Sequence, residues 1–403
     1  MPDHKRGVEL IVCASCPYEV PEITSRLVQL LDGPVEWDFI EDAATRQGVL
    51  PLMYANREIQ TRAPAAVLSR MGVAVRALVA QNFALTTELA GILEDFRAEG
   101  IPVLTFKGPV LSVAVYGRIG VRTSSDLDIL VPEEFVSRAL DLLSQSGYRS
   151  EFDLAKFGLK EYVRAEHAIP MHHSARGVNL DLHWRLTERH FLQTTATRDL
   201  FDRSIPITVM GHSMASFCFE DLLLYLCVHG AKDDWRKLEW ICCLVELVRT
   251  QPSLNWSFVL KNAAQTRTTR ALNLGILLSI ALFRLTVPAA IDTAAQSDLP
   301  AVSLADGLVS RLMQPDLRGS WLPWRVRKYI FAFRVSSSWR DRFRIFFCTV
   351  FRIPHPEARE LLLLPRSLRS AYYILRPLRL FWSLLIRLTE SLRSKADKSE
   401  KQS

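Results

Sequence analysis

The sequence predicts an α+β protein: an α/β core with a small mixed sheet, set between N- and C-terminal helical regions. Three observations carry that expectation. Apolar residues recur at three- and four-residue spacing between 21 and 95, strand and helix signals alternate between 101 and 186, and helical spacing returns at Glu220. The resulting division is a helical region at 1–95, a core at 96–190, a helical region at 191–305 and a basic helical region with a disordered tail at 306–403.

Taken in order, PEITSRLVQLLDG opens on Pro21 and closes on Gly33, as helices often do. WDFIEDAATRQGVLPLMYANREI follows, and then the long APAAVLSRMGVAVRALVAQNFALTTELAGILEDFRAEG, which reads as one or two packed helices. At Ile101 the texture changes. IPVLTFKG is a short β-rich run, PVLSVAVYG fits a helix with proline in its first turn, and SDLDILV alternates as a strand. EEFVSRALDLLSQSG reads as an amphipathic helix, and YRSEFDL, RAEHAIPMHHS and GVNLDLHWRL read as further strands. Beyond Glu220, EDLLLYLCVHGA, WRKLEWICCLVELVRT and FVLKNAAQTRTTRALNLGILLSIALFRL are helical, and PAAIDTAAQSDLPAVS is expected to be a connection. WRVRKYIFAFRV and RDRFRIFFCTVFRI read as basic amphipathic helices, and SKADKSEKQS as a disordered tail.

Composition narrows the function classes. The N-terminus MPDHKRGVELIV lacks the apolar region of a signal peptide, and no run of about 18 apolar residues predicts a membrane span, so the chain reads as cytoplasmic. Seven cysteines, an odd number, read as reduced thiols. Cys13 and Cys16 have metal-ligand spacing, but no second pair answers them, which favours ordinary thiols over zinc. The charge of +7 is unevenly spread: Arg311 to Ser403 carries 20 Lys+Arg against 7 Asp+Glu, a net +13, leaving the first 310 residues at −6. That asymmetry points to an anionic partner or to a solvated arginine-rich face.

Chemistry concentrates around RTSSDLDILV. Residues i and i+2 of a strand point the same way, so Asp126 and Asp128 are expected to project together, as are Asp181 and His183 in NLDLHW. Leu127 and Leu130 are expected to face the core, with one of Leu127, Ile129 and Val131 bordering the site. Neighbouring carboxylates repel, and divalent cations remove the repulsion. Mg²⁺ suits that role because it binds a few carboxylates together with substrate phosphates, the setting of two-metal phosphoryl or nucleotidyl transfer. Upstream, Lys107–Gly108–Pro109 joins a strand to a helix. Glycine admits phosphate close to the backbone, the helix N-terminus offers free N–H groups, and Lys107 adds a charge. Arg122 is a second candidate phosphate contact.

FKGPVLSVAVYGRIGVRTSSDLDILV followed by NLDLHWRL resembles the uncharacterised bacterial nucleotidyltransferase family of the DNA polymerase β-like nucleotidyltransferase superfamily. VLPLMYANRE before the core, EDLLLYLCVHGAKDDWRKLEWICCLVELV after it and LPRSLRSAYYILRPLRLFW near the end extend the resemblance over nearly the whole chain. It implies a nucleotidyltransferase fold, with Asp126 and Asp128 as metal-bridging carboxylates and Asp181 as a third that activates the attacking hydroxyl. It further implies Lys107 and Gly108 at the triphosphate, with Arg122 and Ser125 beside it, and an NTP such as ATP with Mg²⁺ or Mn²⁺. The wider superfamily begins this helix with glycine–serine; here lysine–glycine is followed by proline, so backbone amides and Lys107 must serve instead. His183 is read as a substrate contact or a support for Asp181, Trp184 as core or site, and Tyr116 as packing. Relatives carry an aspartate where Cys243 stands, which would alter an acceptor contact or the setting of His229.

The expected activity is transfer of NMP from an NTP to a hydroxyl of a small molecule or glycan precursor. Alternatives are nucleotidylation of RNA or protein, or a non-catalytic NTP-binding or scaffold module. The basic C-terminal region mixes arginines with aromatics, as nucleic-acid surfaces, interfacial membrane helices and plain packed helices all do.

Overall fold

Seven strands form one mixed sheet in the computed structural model, which describes residues 4–150, 152, 158–188, 195–314, 324–351 and 382. They are β1 (Leu104–Thr105), β2 (Leu127–Leu130), β3 (Arg149–Ser150), β4 (Ala168–His173), β5 (Val178–His183), β6 (Ile205–Val209) and β7 (His212–Ser216), in the order β3-β4-β5-β2-β1-β7-β6. β2 runs parallel to β5, β1 parallel to β7, and the remaining neighbours are antiparallel.

The first face of the sheet is apolar. Leu127, Ile129 and Val131 all enter the core with Leu180 and Leu182, under Leu89, Leu93 and Phe96 of the helix Ala65–Ala98 and Leu140 and Leu143 of the helix Val136–Gln145. This corrects the expectation that one of the three would border the site, because a period of two puts i, i+2 and i+4 on one side. Leu130 lies on the other face, buried there beside Asp128. That second face is covered near Phe106, whose ring packs 5.0 Å from Phe217 and 5.1 Å from Tyr225 of the helix Phe219–Lys232.

Several segments depart from expectation. Residues 205–216 form the β6–β7 hairpin, where the sequence predicts no strands, so the sheet continues past 190 to Ser216. Its two-residue turn uses Met210 and Gly211, both at positive φ, the backbone form that matches strand twist. PAAIDTAAQSDLPAVS is not a connection but parts of two helices, Ala289–Ser297 and Leu299–Leu312. Asp298 caps the second by accepting from Ala301 N, and Pro300 sits in its first turn, where it costs no hydrogen bond. The 65–98 stretch is one helix rather than two, and among the described residues of YRSEFDL the strand is Arg149–Ser150.

The chain divides into two compact units, Met1–Leu317 and Arg318–Ser403. In the second, the helices Trp324–Val335 and Trp339–Phe351 are described; the block 364–381 and the tail expected to be disordered lie outside the described residues. Among the described residues, no helix is long and apolar enough to cross a membrane.

Candidate active site

The parallel register of β2 and β5 sets Asp128 directly opposite Asp181, with Leu127 opposite Leu180 on the apolar side. Two carboxylates from separate strands thus share the second face. One turn of the chain away, Lys107 ends the β1 segment in extended conformation, and Gly108 opens the helix Gly108–Tyr116 at φ +57°. A side chain at Gly108 would be strained by that φ and would stand 3.5 Å from the Asp126 carbonyl. The Lys–Gly step thus lies in van der Waals reach of the bend that leads into β2.

Asp128 is buried, and a single oxygen takes two partners. Its Oδ1 lies 2.8 Å from Lys107 Nζ and 2.9 Å from His183 Nε2, while its buried Oδ2 has no hydrogen-bond partner. Burial alone would raise this carboxyl, but the Lys107 ammonium and the His183 hydrogen bond outweigh it and hold it well below the usual carboxylate range. Burial likewise opposes the charge on Lys107, and Asp128 overrides it, so the lysine stays protonated far into the alkaline range. Asp181 behaves in the opposite way. Burial pushes its carboxyl up, the charges of Asp128 and Asp126 add to the rise, and His183 pulls against it.

Asp126 precedes β2 in a bend and is half-buried, accepting a hydrogen bond from Ser125 Oγ at 3.0 Å. Ser125 itself is exposed. Arg122 sits deeper than a phosphate contact would suggest: its Nε lies 3.1 Å from Glu239 Oε1, in a pair whose side chains are 11% and 3% exposed. Glu239 also accepts from Thr123 Oγ1 at 3.1 Å. As placed, Arg122 ties the loop before the aspartates to the helix Leu238–Thr250. Cys243, one turn further along that helix, lies 3.7 Å from the Tyr116 hydroxyl, and burial pushes its thiol up to about 11 against the pull of Arg122.

His183 supports Asp128, not Asp181 as one reading had it. Trp184 is core: 1% exposed, with its indole N–H donating to the Val163 and Glu166 carbonyls at 3.0 and 3.1 Å. Sequence reasoning missed Glu239 and Tyr225, the latter lying beside Lys107 and Asp128 from the helix Phe219–Lys232. His229 stacks on Tyr225 at 5.7 Å and meets Trp240 edge-on at 4.9 Å. Both missed residues sit in the 220–248 block, whose helical pattern was legible although its contacts with the site were not. A separate cleft of about 970 Å³, lined by Glu133, Trp184, Arg185, Thr197 and Asn262 among others, includes neither the aspartates nor Lys107 in its lining. Burial raises the Cys13 and Cys16 thiols to about 12 and about 11.

Asp128, Asp181 and His183 each offer one ligand atom, and these atoms lie within 4.8 Å of one another. Asp128 also keeps one buried oxygen, Oδ2, without a hydrogen-bond partner among the described residues, and the donor set fits a divalent cation: carboxylate oxygens suit Mg²⁺, and the imidazole also suits Mn²⁺. A family model described as "Uncharacterised nucleotidyltransferase" matches residues 33–284, more than half of the chain. The chain belongs to this nucleotidyltransferase family. The match contains every strand of the sheet and ends before the C-terminal block in which the sequence also resembled the family. No curated protein matches the chain. Among solved structures, the antibiotic-resistance factor ANT(2'')-Ia is similar at 14% identity over 48% of this chain and 95% of its own, with a TM-score of 0.33. The nucleotidyltransferase family thus stands on the sequence match, and the carboxylate face described above lies within the matched span.

Proposed function

We propose that the protein transfers a nucleoside monophosphate from an NTP such as ATP to a hydroxyl of a small molecule or glycan precursor, releasing pyrophosphate. The reaction would run in the cytoplasm with Mg²⁺ or Mn²⁺. The observation that carries this reading is the Asp128–Asp181 pair on adjacent parallel strands beside the Lys107–Gly108 turn.

In this reading Asp128 and Asp181 hold the cation, with His183 against Asp128 and Asp126 at the rim. When bound, the divalent cation supplies Lewis-acid polarisation of the phosphoryl oxygens. The free amides at the start of the helix Gly108–Tyr116 receive phosphate, since nothing but hydrogen stands on Gly108. Asp181, set opposite Asp128 on the neighbouring strand, accepts the proton of the attacking hydroxyl. The hydroxyl oxygen bonds to the α-phosphorus as the bond to the β-phosphate oxygen breaks, and pyrophosphate leaves. Arg122, held by Glu239, positions the aspartate loop, and Ser125 orients Asp126.

Incubation with each α-labelled NTP, Mn²⁺ or Mg²⁺ and cell extract tests the reading. Label is expected in a small-molecule or glycan fraction. Label in RNA or polypeptide would displace the acceptor class, and absence of both transfer and metal-dependent NTP binding would favour a scaffold. Gly108→Ala is expected to raise KM for NTP more than it lowers kcat, because the methyl group intrudes where phosphate approaches. Steady-state kinetics checks this, and an unchanged KM would remove Gly108 from the phosphate site.

The C-terminal unit favours an anionic lipid surface as its partner. Residues 324–351 carry seven Lys+Arg against one acidic residue. On the helix Trp339–Phe351, Trp339, Phe343 and Phe346 recur at helical spacing and are 72%, 62% and 56% exposed. An aromatic stripe beside arginines is the pattern of an interfacial helix. The full chain is expected to float with phosphatidylglycerol vesicles and not with phosphatidylcholine vesicles, and to lose flotation when the three aromatics become alanine. Flotation unaffected by those changes, or salt-sensitive RNA binding in its place, would overturn this part.

A further inference from the structure

Lys107 occupies a position the proposed chemistry leaves unexplained. The lysine that stands next to the phosphate-receiving helix N-terminus does not point toward an open anion site. Its ammonium is 2.8 Å from Asp128 Oδ1, the same oxygen that His183 Nε2 approaches at 2.9 Å. The lysine side chain is 19% exposed and that of Asp128 is 1% exposed, so the pair is nearly shielded from solvent. Only Oδ2 of Asp128 is left without a hydrogen bond, and the nearest other carboxylate in the donor set is Asp181.

Resting on the reading that these carboxylates hold a divalent cation, we propose that Lys107 is the site's resident counter-cation and gives way to the metal. Two positive charges cannot share Asp128 without strong repulsion in so shielded a setting. A divalent ion held by Asp128 would compete with the ammonium for the same shielded carboxylate and displace it. One residue away lies the one place that rewards the move, the N-terminus of the helix Gly108–Tyr116, where phosphate would sit. The lysine therefore exchanges Asp128 for the polyphosphate as the metal exchanges solvent for Asp128. Metal alone is a poor ligand, because it takes from Lys107 its charged partner and leaves the ammonium only the neighbouring Tyr225 hydroxyl. A metal–nucleotide complex is a good one, because it brings the ammonium a new anion. The adjacency of lysine and glycine thereby acquires a reason: the flexible Lys107 side chain can reach both anions from one backbone position.

The test is binding of Mn²⁺ alone to the full chain, read from the electron paramagnetic resonance signal of the free ion. Lys107→Met is expected to bind Mn²⁺ at least about tenfold more tightly than the unaltered protein, since the competing cation is gone. Asp128→Asn is expected to lose binding with or without Lys107→Met. Equal or weaker binding by Lys107→Met, with Asp128→Asn still abolishing it, overturns the counter-cation role while leaving the carboxylate site standing. Binding indifferent to Asp128→Asn overturns both. A second measurement needs no variant: reductive methylation of the unaltered protein, mapped by mass spectrometry. Lys107 is expected to be slow to label and to speed up severalfold at saturating Mn²⁺, and unchanged labelling overturns the exchange.

Discussion

Replacing Asp128 by asparagine is expected to lower nucleotide transfer by about a thousandfold or more, the equivalent of losing several kcal/mol of transition-state stabilisation. The change preserves shape and removes charge at the one residue that both strands, the histidine and the lysine converge on. It also leaves the shielded Lys107 ammonium without its counter-charge, and stripping one partner from a buried ion pair costs about 3–5 kcal/mol. The two losses separate in the double variant Lys107→Met/Asp128→Asn, which is expected to recover stability in urea denaturation and not activity. Asp126→Asn makes the informative comparison. Asp126 is half-buried at the rim and outside the donor set of Asp128, Asp181 and His183, so its loss is expected to cost about ten- to hundredfold. Equal losses at the two positions would return Asp126 to the rank of a full metal ligand. An Asp128→Asn enzyme that retains a tenth of its activity would sink the assignment altogether.

The largest expected effect on stability is at Trp184. Its side chain is 1% exposed, and truncation to alanine is expected to cost about 3–5 kcal/mol through lost burial and the cavity left behind. The hydrogen-bond share of that cost is small. Arg185 Nη1 also donates to the Val163 and Glu166 carbonyls, at 3.0 Å each, so neither is orphaned when the indole is removed. Trp184→Phe should therefore be milder in denaturant titration and should leave transfer within a few-fold of the unaltered protein at a temperature where both are folded. Severe loss of transfer by Trp184→Phe without loss of stability would make Trp184 a substrate contact, which its place at the edge of the 970 Å³ cleft would then explain.

How much of this was legible beforehand depends on the range of the interactions. Helix Pro21–Leu31, strand β2 and strand β5 follow from local periodicity and end signals, and the structure forms them where those signals lie. The hairpin Ile205–Ser216 was hidden because IPITVMGHSMAS alternates weakly and its turn depends on Met210 at positive φ, a form its side chain does not advertise. The helices between 289 and 312 were hidden because proline and serine imitate a connection. Only burial of residues such as Ile291, Ala295 and Leu304 against neighbouring helices decides otherwise.

The site divides along the same line. The sequence by itself determined which residue types share a side of each strand: a period of two, applied to SDLDILV and NLDLHW, pairs Asp126 with Asp128 and Asp181 with His183. It also determined that a glycine step opens a helix beside them. Tertiary structure alone decided the pairings. His183 turns to Asp128 across 55 residues, Lys107 settles on Asp128 across 21, and Glu239 is brought to the loop at Thr123 across 116. Local patterning cannot specify these partners, because each depends on strand order and on how the later helices lie over the sheet. Burial then acts as no pattern encodes: it opposes the charges of Lys107 and Asp128, which survive only because the fold sets them against each other, and it raises the carboxyl of Asp181, which has no such partner at hydrogen-bond distance among the described residues.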